Sequence, residues 1–295
     1  MTSQQPQEQF QFVEEIMQQH VTGTDKIEDF EFFYGGNFNL AGRIKTKSGD
    51  YFIKWNAGEH HGLFEAEAKN LALLSSTESI SVPKVFAFGT HEEKEFLVIQ
   101  CIQSAEKATQ YYEKLGHDVA ILHRNSSSKG FGLDYDNFIG ASPQKNTWMN
   151  DGLRFFIENR LLFQIEKGLY DRKIQPALAE KFNRFFKELP SIIPNEAPAL
   201  LHGDLWTGNT MVNEKGLATL VDPTCYYGFR EAEIAFTTMF GGFEETFYHA
   251  YHEQFPLEKG FHARIPYYNL YPLLVHVNLF GEGYLPTIET ILKPF

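Results

Sequence analysis

Asp204 stands five positions before Asn209 in the stretch LLHGDLWTGNTMVNEKGLATLVDP, and Asp222 follows thirteen positions after Asn209. This is the spacing of a phosphoryl-transfer loop, in which the aspartate accepts the proton of a substrate hydroxyl and the asparagine holds a metal ion. Asp222 would supply a second hard oxygen ligand, and oxygen donors of this kind suit Mg²⁺ better than zinc. Between them, a strand pair turning on Glu214-Lys215-Gly216 would return both ligands to one place. The spacing alone leaves a plainer reading open, because Gly-Asp and Gly-Asn pairs are common turn formers and Asp222 precedes a proline.

Three upstream features favour the chemical reading. Gly35, Gly36, Asn37, Phe38 and Asn39 lie between two predicted strands, where a glycine turn can lay backbone N–H groups against nucleotide phosphates, although a simple hairpin explains them equally well. Lys54 shares a strand face with Phe52 in YFIKW; an exposed strand lysine is the plainer reading, and in a kinase a lysine at this point contacts nucleotide phosphates. Its partner would be a glutamate of the following helix, Glu67, with Glu65 as the near competitor. Glycine turn, strand lysine, helix glutamate, Asp-x-x-x-x-Asn, hairpin and Asp in this order point to a kinase-like phosphotransferase. A silent nucleotide-binding or interaction module has no chemical need for Lys54, Asp204, Asn209 and Asp222 together.

The elements that must carry these residues are readable in outline. Phe12, Val13, Ile16, Met17 and Val21 recur at helical spacing, predicting an amphipathic N-terminal helix. Five short runs follow (IEDFEFFY, NLAGRIKTK, DYFIKWN, VPKVFAFG, EFLVIQCI), with Ser48-Gly49-Asp50 as a hairpin turn and LFEAEAKNLALLSS as an inserted helix. Beyond Cys101 longer helical patterns take over, while Phe131 to Trp148 reads as a loop. Strands followed by helix-rich sequence predict an α+β chain of two lobes, residues 1–102 binding nucleotide and 103–295 carrying catalytic and substrate groups.

Composition narrows the partners. The 295 residues carry 26 basic and 38 acidic side chains, a net charge of −12, which lacks the basic footprint that nucleic acid or an anionic membrane needs. Two cysteines, Cys101 and Cys225, cannot form a disulfide framework or a cysteine-rich zinc site. The glutamine-rich start shows no secretory pattern, and no run approaches the ~20 apolar residues of a membrane span, so a cytoplasmic protein is expected. His60, His61 and His91 lack metal-ligand spacing and read as surface histidines.

HGDLWTGN from His202, FGLDYDNFIG from Phe131, PQKNTW from Pro143, DPTCYYGFRE from Asp222 and FGGF from Phe240 together resemble the fructosamine kinase (ketosamine 3-kinase) family, relatives of aminoglycoside and choline kinases. The resemblance runs from about Gly35 to the C-terminus. It implies a protein-kinase-like fold and ATP- and Mg²⁺-dependent phosphorylation of the sugar 3-hydroxyl of ketosamines, on small amines or protein lysines, with a labile product and hence deglycation. It implies Asp204 as proton acceptor, Asn209 and Asp222 as Mg²⁺ ligands, and Lys54 with Glu67 as the phosphate-positioning pair. Gln100, Cys101, Ile102 and Gln103 would form the hinge whose main chain bonds adenine.

Trp206 would either pack or stack on the substrate. His202 would orient the loop. Gln144, Asn146 and Trp148 would serve the substrate or satisfy buried backbone, and Arg230, Glu231 and Glu233 would brace the metal loop or form a solvated helix start. Two departures stand out: no cysteine occupies the glycine turn, so no thiol switch is expected there, and an Ala-Pro-Glu activation segment is missing. Another small-molecule kinase, acting on an aminoglycoside, choline or an amino alcohol, is the nearest alternative. The choice of ketose and the oligomeric state are not legible.

Overall fold

The computed structural model describes residues 5–33, 40–56 and 62–295. The glycine turn from Gly35 to Asn39 and the pair His60-His61 therefore lie outside the described residues.

Five strands form the N-terminal sheet: β1 (Ile27–Phe33), β2 (Leu40–Thr46), β3 (Gly49–Trp55), β4 (Val85–His91) and β5 (Lys94–Gln100), in the order β1-β2-β3-β5-β4 and antiparallel throughout. Strand periodicity decides what each face does. Ile53 and Trp55 of β3, with Phe96 and Val98 of β5, meet the apolar face of α1 (Gln5–His20), where Phe12, Val13, Ile16 and Met17 are buried. The alternate residues Leu97 and Ile99 of β5, with Phe52 of β3, face α2 (Leu63–Ser76) through Leu63, Phe64, Ala68 and Leu71. Lys54 lies on this second face, which is why it can meet a residue of α2. Trp55 is fully buried, and its indole N–H donates to Gln9 Oε1 at 2.9 Å.

The C-terminal region is built around α3 (Tyr111–His123), α4 (Gly152–Phe155), α5 (Phe163–Tyr170), α6 (Pro176–Ile192), α7 (Arg230–Thr237), α8 (Glu245–Gln254), α9 (Phe261–Tyr268), α10 (Leu270–Phe280) and α11 (Leu285–Ile291). Its core centres on Phe155, Phe182, Phe185, Phe247, Tyr251 and Tyr268. Small two-stranded ladders hold the loops: β6 (Asn137–Ile139) with β7 (Ser142–Gln144), β8 (Ala199–Leu201) with β11 (Tyr226–Gly228), and β9 (Thr210–Val212) with β10 (Ala218–Leu220). The whole is the two-lobed α+β, protein-kinase-like fold expected from the sequence.

Three local readings need correction. Phe131 to Trp148 is not plain loop: β6 and β7 pair within it, and Phe131 and Gly132 bridge to Met149 and Tyr227. Strands of three residues are too short to show alternation. The helix predicted across DGLRFFIENRLLFQ winds as a π-helix from Phe156 to Leu162 between α4 and α5. Arg160 in that turn is wholly buried, its guanidinium 3.8 Å from the Tyr226 ring centre and bonded to Asn146 Oδ1 at 2.8 Å. Finally, His91 is not a free surface histidine, since its Nε2 meets Glu15 Oε2 at 3.1 Å and ties β4 to α1.

Candidate active site

β8 ends at Leu201, and the loop that follows turns sharply at Gly203, which has φ of +89°. A Cβ there would lie 2.1 Å from the Thr224 carbonyl oxygen, so only glycine allows this loop's backbone to pass so close to the segment after Asp222. The loop is braced from below by Glu233 of α7. Its Oε1 accepts the Gly203 amide at 2.6 Å, and its Oε2 accepts the His202 amide at 3.1 Å and pairs with His123 Nε2 at 2.8 Å. Burial alone would raise Glu233, but His123, His202 and the Gly203 amide hold its carboxyl below the usual range. Of the three residues expected to brace the metal loop, Glu233 instead braces the backbone at His202 and Gly203, ahead of Asp204. Arg230 pairs with Glu196 at 2.7 Å and Glu231 with Arg264 at 2.6 Å.

His202 is fully buried, with Nε2 donating to Val221 O at 3.0 Å while Nδ1 accepts the Asp204 amide at 3.3 Å. Burial lowers its pKa and keeps the ring neutral, which fits one donating and one accepting nitrogen. The histidine thus pins the start of the loop to the strand leading into Asp222.

Asn209 Nδ2 donates to both the Asp204 carbonyl and its carboxylate Oδ2, at 2.8 and 2.9 Å. Burial pushes the Asp204 carboxyl up to about 7, against the Asn209 hydrogen bond and with help from the negative Asp222 and Glu233. From the sheet side, Lys54 Nζ reaches Glu67 Oε1 at 2.8 Å and also contacts Asp222 Oδ1. Burial would lower the lysine, but Asp222 and Glu67 hold it above its ordinary value and keep it charged. Glu65 instead pairs with Lys69 on the outer side of α2. The near competitor therefore drops out: Glu67 and Lys54 meet, and Glu65 points away.

A cavity of about 560 Å³ joins these groups, lined among others by Lys54, Glu67, Asp204, Trp206, Asn209 and Asp222. Gln100, Cys101 and Ile102 also line it, but Gln103 does not: its amide side chain turns away to Asp50 Oδ2 at 2.7 Å. The Cys101 amide is spent on Asp50 O at 3.3 Å, whereas no described backbone carbonyl takes the Ile102 N–H. Trp206 is half-buried at the edge of the cavity, its ring folded over Gly208 and edge-on to Phe240 at 5.3 Å.

Sequence reasoning missed Asn70. One turn after Glu67, it is 1% exposed; its Nδ2 donates to Pro223 O at 2.8 Å and its Oδ1 accepts from Tyr135 Oη at 3.0 Å. Asn137 continues the chain by donating to Cys225 O at 2.8 Å, and Gln144 donates to Thr224 O at 3.0 Å. An asparagine inside the apolar run KNLALL was the available signal, since a polar side chain on a buried helix face must find partners. Asn146 joins the same network through Asn137 Oδ1, while Trp148 bonds to Asp134 at the surface. For Gln144 and Asn146 the backbone-satisfying reading describes the geometry.

Residues 9–295 match the model of the fructosamine kinase family. The chain belongs to the fructosamine kinase family. A probable ketoamine kinase of Synechocystis sp. is 33% identical over 277 residues, covering 91% of this chain and 90% of its own. The chloroplastic protein-ribulosamine 3-kinase of Arabidopsis thaliana is 34% identical over 265 residues, covering 88% and 80%. The crystal structure of a fructosamine-3-kinase candidate from Haemophilus somnus superposes with a TM-score of 0.86 at 27% identity, over 97% of both chains. As a fructosamine kinase family member the chain is a phosphotransferase with a hydroxyl group as acceptor.

Proposed function

We propose that the protein transfers the γ-phosphoryl group of ATP to the 3-hydroxyl of a ketosamine, with Mg²⁺ as the metal, and so initiates deglycation. One observation carries the reading: Asp204, Asn209, Asp222 and the Lys54–Glu67 pair converge on a single cavity in a chain of this family. Nucleotide would enter between the sheet and the helical region, its adenine against the free Ile102 N–H and the backbone of Gln100 and Cys101. Gln103 contributes at most main chain. Lys54, held by Glu67, would position the phosphates. Gly35, Gly36, Asn37, Phe38 and Asn39 remain proposed phosphate contacts.

The donor set fits a divalent cation. Asn209 has spent its amide nitrogen on Asp204, leaving its amide oxygen without a described donor, and the Asp222 side chain is half-exposed to the cleft beside Lys54. Mg²⁺ bound by Asn209 and Asp222 would neutralise charge on the transferring phosphoryl group. Asp204 would orient the sugar hydroxyl and take its proton, with Asn209 fixing the carboxylate and the Gly203 turn fixing the backbone. A phosphate at carbon 3 is a far better leaving group than hydroxide. Once the neighbouring carbonyl enolises toward carbon 1, phosphate departs and hydrolysis frees the amine.

A panel of ribulose-, erythrulose-, psicose- and fructose-amine adducts, compared with aminoglycosides, choline and amino alcohols for ADP release, tests the substrate class. Turnover confined to the second group would assign a different acceptor. Mg·ATP binding without turnover of either group would leave a silent nucleotide-binding module.

A further inference from the structure

Three consecutive carbonyls follow Asp222, and each accepts a buried side-chain amide. Pro223 O takes Asn70 Nδ2 at 2.8 Å, Thr224 O takes Gln144 Nε2 at 3.0 Å, and Cys225 O takes Asn137 Nδ2 at 2.8 Å. Asp222 itself stands at φ of +55°, a left-handed conformation that non-glycine residues rarely adopt, so its backbone depends on what holds the segment after it. An amide side chain is almost symmetric in shape, and it presents N–H to a carbonyl only if a group at its other end demands the oxygen. Two groups make that demand here. Arg160, in the π-helical turn, carries donors and no acceptor. Its Nη2 donates to Asn146 Oδ1 at 2.8 Å, which turns Asn146 Nδ2 onto Asn137 Oδ1 at 2.9 Å and so turns Asn137 Nδ2 onto Cys225. Tyr271 of α10 donates to Gln144 Oε1 at 2.6 Å, which turns Gln144 Nε2 onto Thr224.

We infer that Arg160 and Tyr271 are positioning residues for Asp222: they fix the sense of the amides that hold Thr224 and Cys225, and through that segment the direction in which the Asp222 carboxylate is presented. The inference rests on the metal role proposed above for Asp222. The described hydrogen bonds of Arg160 and Tyr271 do not reach Asp222, so both act through the amides. A buried guanidinium is costly where no carboxylate repays it, and Arg160 is 0% exposed, with its other hydrogen bonds going to the carbonyls of Lys145 and Asn159. An apolar side chain would satisfy packing against the rings of Phe155 and Tyr226, which lie 4.6 and 3.8 Å from the guanidinium carbon. What the arginine adds is a donor that never accepts. A reversed Asn146 would aim N–H at the guanidinium and set its own oxygen against Asn137 Oδ1, so the sense of the network is fixed as a unit.

Titration calorimetry of ADP, with Mg²⁺ and with excess chelator, tests this without turnover. The ratio of the two affinities reads the coupling of metal to nucleotide, and the chelator value alone reads the nucleotide pocket. Wild type is expected to gain affinity with Mg²⁺. Asn146→Asp keeps an oxygen for Arg160, now as a buried ion pair, but offers Asn137 no N–H. Tyr271→Phe releases the Gln144 amide, and by removing a single oxygen atom it decides the matter if Asn146→Asp does not fold. Each is expected to cut the gain about threefold to tenfold, the size of one buried hydrogen bond, with chelator affinity unchanged within about twofold. Arg160→Gln, which can accept as well as donate, should match Asn146→Asp. Leu178→Ala, a core truncation in α6, should lower Tm and keep the gain, which separates positioning from general loss of stability. An unchanged gain in folded Asn146→Asp or Tyr271→Phe, or an equal loss in Leu178→Ala, would overturn the positioning role while leaving Asp222 as a ligand. No gain in wild type would remove the metal role of Asp222 and the inference with it.

Discussion

Asn70 of α2 donates its side-chain amide to the carbonyl of Pro223, the residue after Asp222, at 2.8 Å. The same helix carries Glu67 one turn earlier, and Glu67 holds Lys54, which in turn contacts Asp222. The sheet side of the cleft is therefore fastened to the Asp222–Pro223 segment twice, once by charge and once by a buried amide. Tyr135 and Asn137 also end on Asn70 Oδ1, so its removal strands several groups.

Asn70→Ala leaves the Pro223 carbonyl and the Tyr135 hydroxyl without their partner. Each unsatisfied buried group costs about 1–3 kcal/mol, so the variant should lose several degrees of Tm. Because α2 and the Asp222 loop are then no longer in register, kcat should fall more than the KM for ATP rises. Differential scanning fluorimetry and steady-state kinetics check both. An unchanged Tm would mean the amide bridge contributes nothing.

Gly203→Ala is expected to abolish turnover by at least ~100-fold, the scale on which small displacements of a catalytic group are felt. The added methyl meets backbone at 2.1 Å, not a flexible side chain that could move aside, and the residue already sits at φ of +89°. Circular dichroism should show a folded protein. Wild-type activity would show that the turn can be rebuilt.

Glu233 links stability to pH. Its carboxyl titrates below the usual range when folded, so the stability it provides is complete above the unfolded value of about 4.3 and disappears as pH falls through the lower folded value. His202, held neutral by burial, works at a higher pH: its pKa is lowered, so folding loses stability as pH drops below the unfolded value of about 6.5. Glu233→Gln should be less stable at neutral pH and show a shallower loss of stability below about pH 4.3. Denaturant unfolding at several pH values checks this, and parallel curves for variant and wild type would contradict it.

Lys54→Met removes the cation that balances Glu67 and Asp222. Turnover should drop by at least ~100-fold, as expected when a charge positioned at the transferring group is lost. Chelation of Mg²⁺ should abolish wild-type turnover, with recovery on adding the ion back. Substantial ADP formation in excess chelator would exclude the assigned metal role of Asn209 and Asp222.

What could be read from the sequence was whatever has a short period or a fixed spacing. The alternation in β3 and β5 separates Ile53 and Trp55 from Phe52 and Lys54, and it correctly puts the lysine on the face toward α2. The Asp204–Asn209 spacing likewise corresponds to a direct contact. Illegible were the pairings between distant segments. Asn70 with Pro223, Glu233 with Gly203 and His91 with Glu15 join residues 153, 30 and 76 positions apart, and no local pattern encodes them. Strands of three residues, as in β6 and β7, are likewise held by tertiary hydrogen bonds more than by propensity. The Gln103 side-chain partner, Asp50, was equally out of reach of local pattern, lying 53 positions away.

The central claim is that Asp204 takes the proton of a ketosamine 3-hydroxyl, and Asp204→Asn tests it most directly. The wild-type protein and the variant would be incubated with Mg·ATP and a fructose- or ribulose-amine adduct, with ADP release followed and the phosphorylated carbon located by phosphorus NMR. Wild type should give a 3-phosphate, and Asp204→Asn should lose about 10²–10⁴-fold in kcat while binding ATP nearly as well. Near-normal turnover in the variant, or phosphate on another hydroxyl in the wild type, would contradict the assignment.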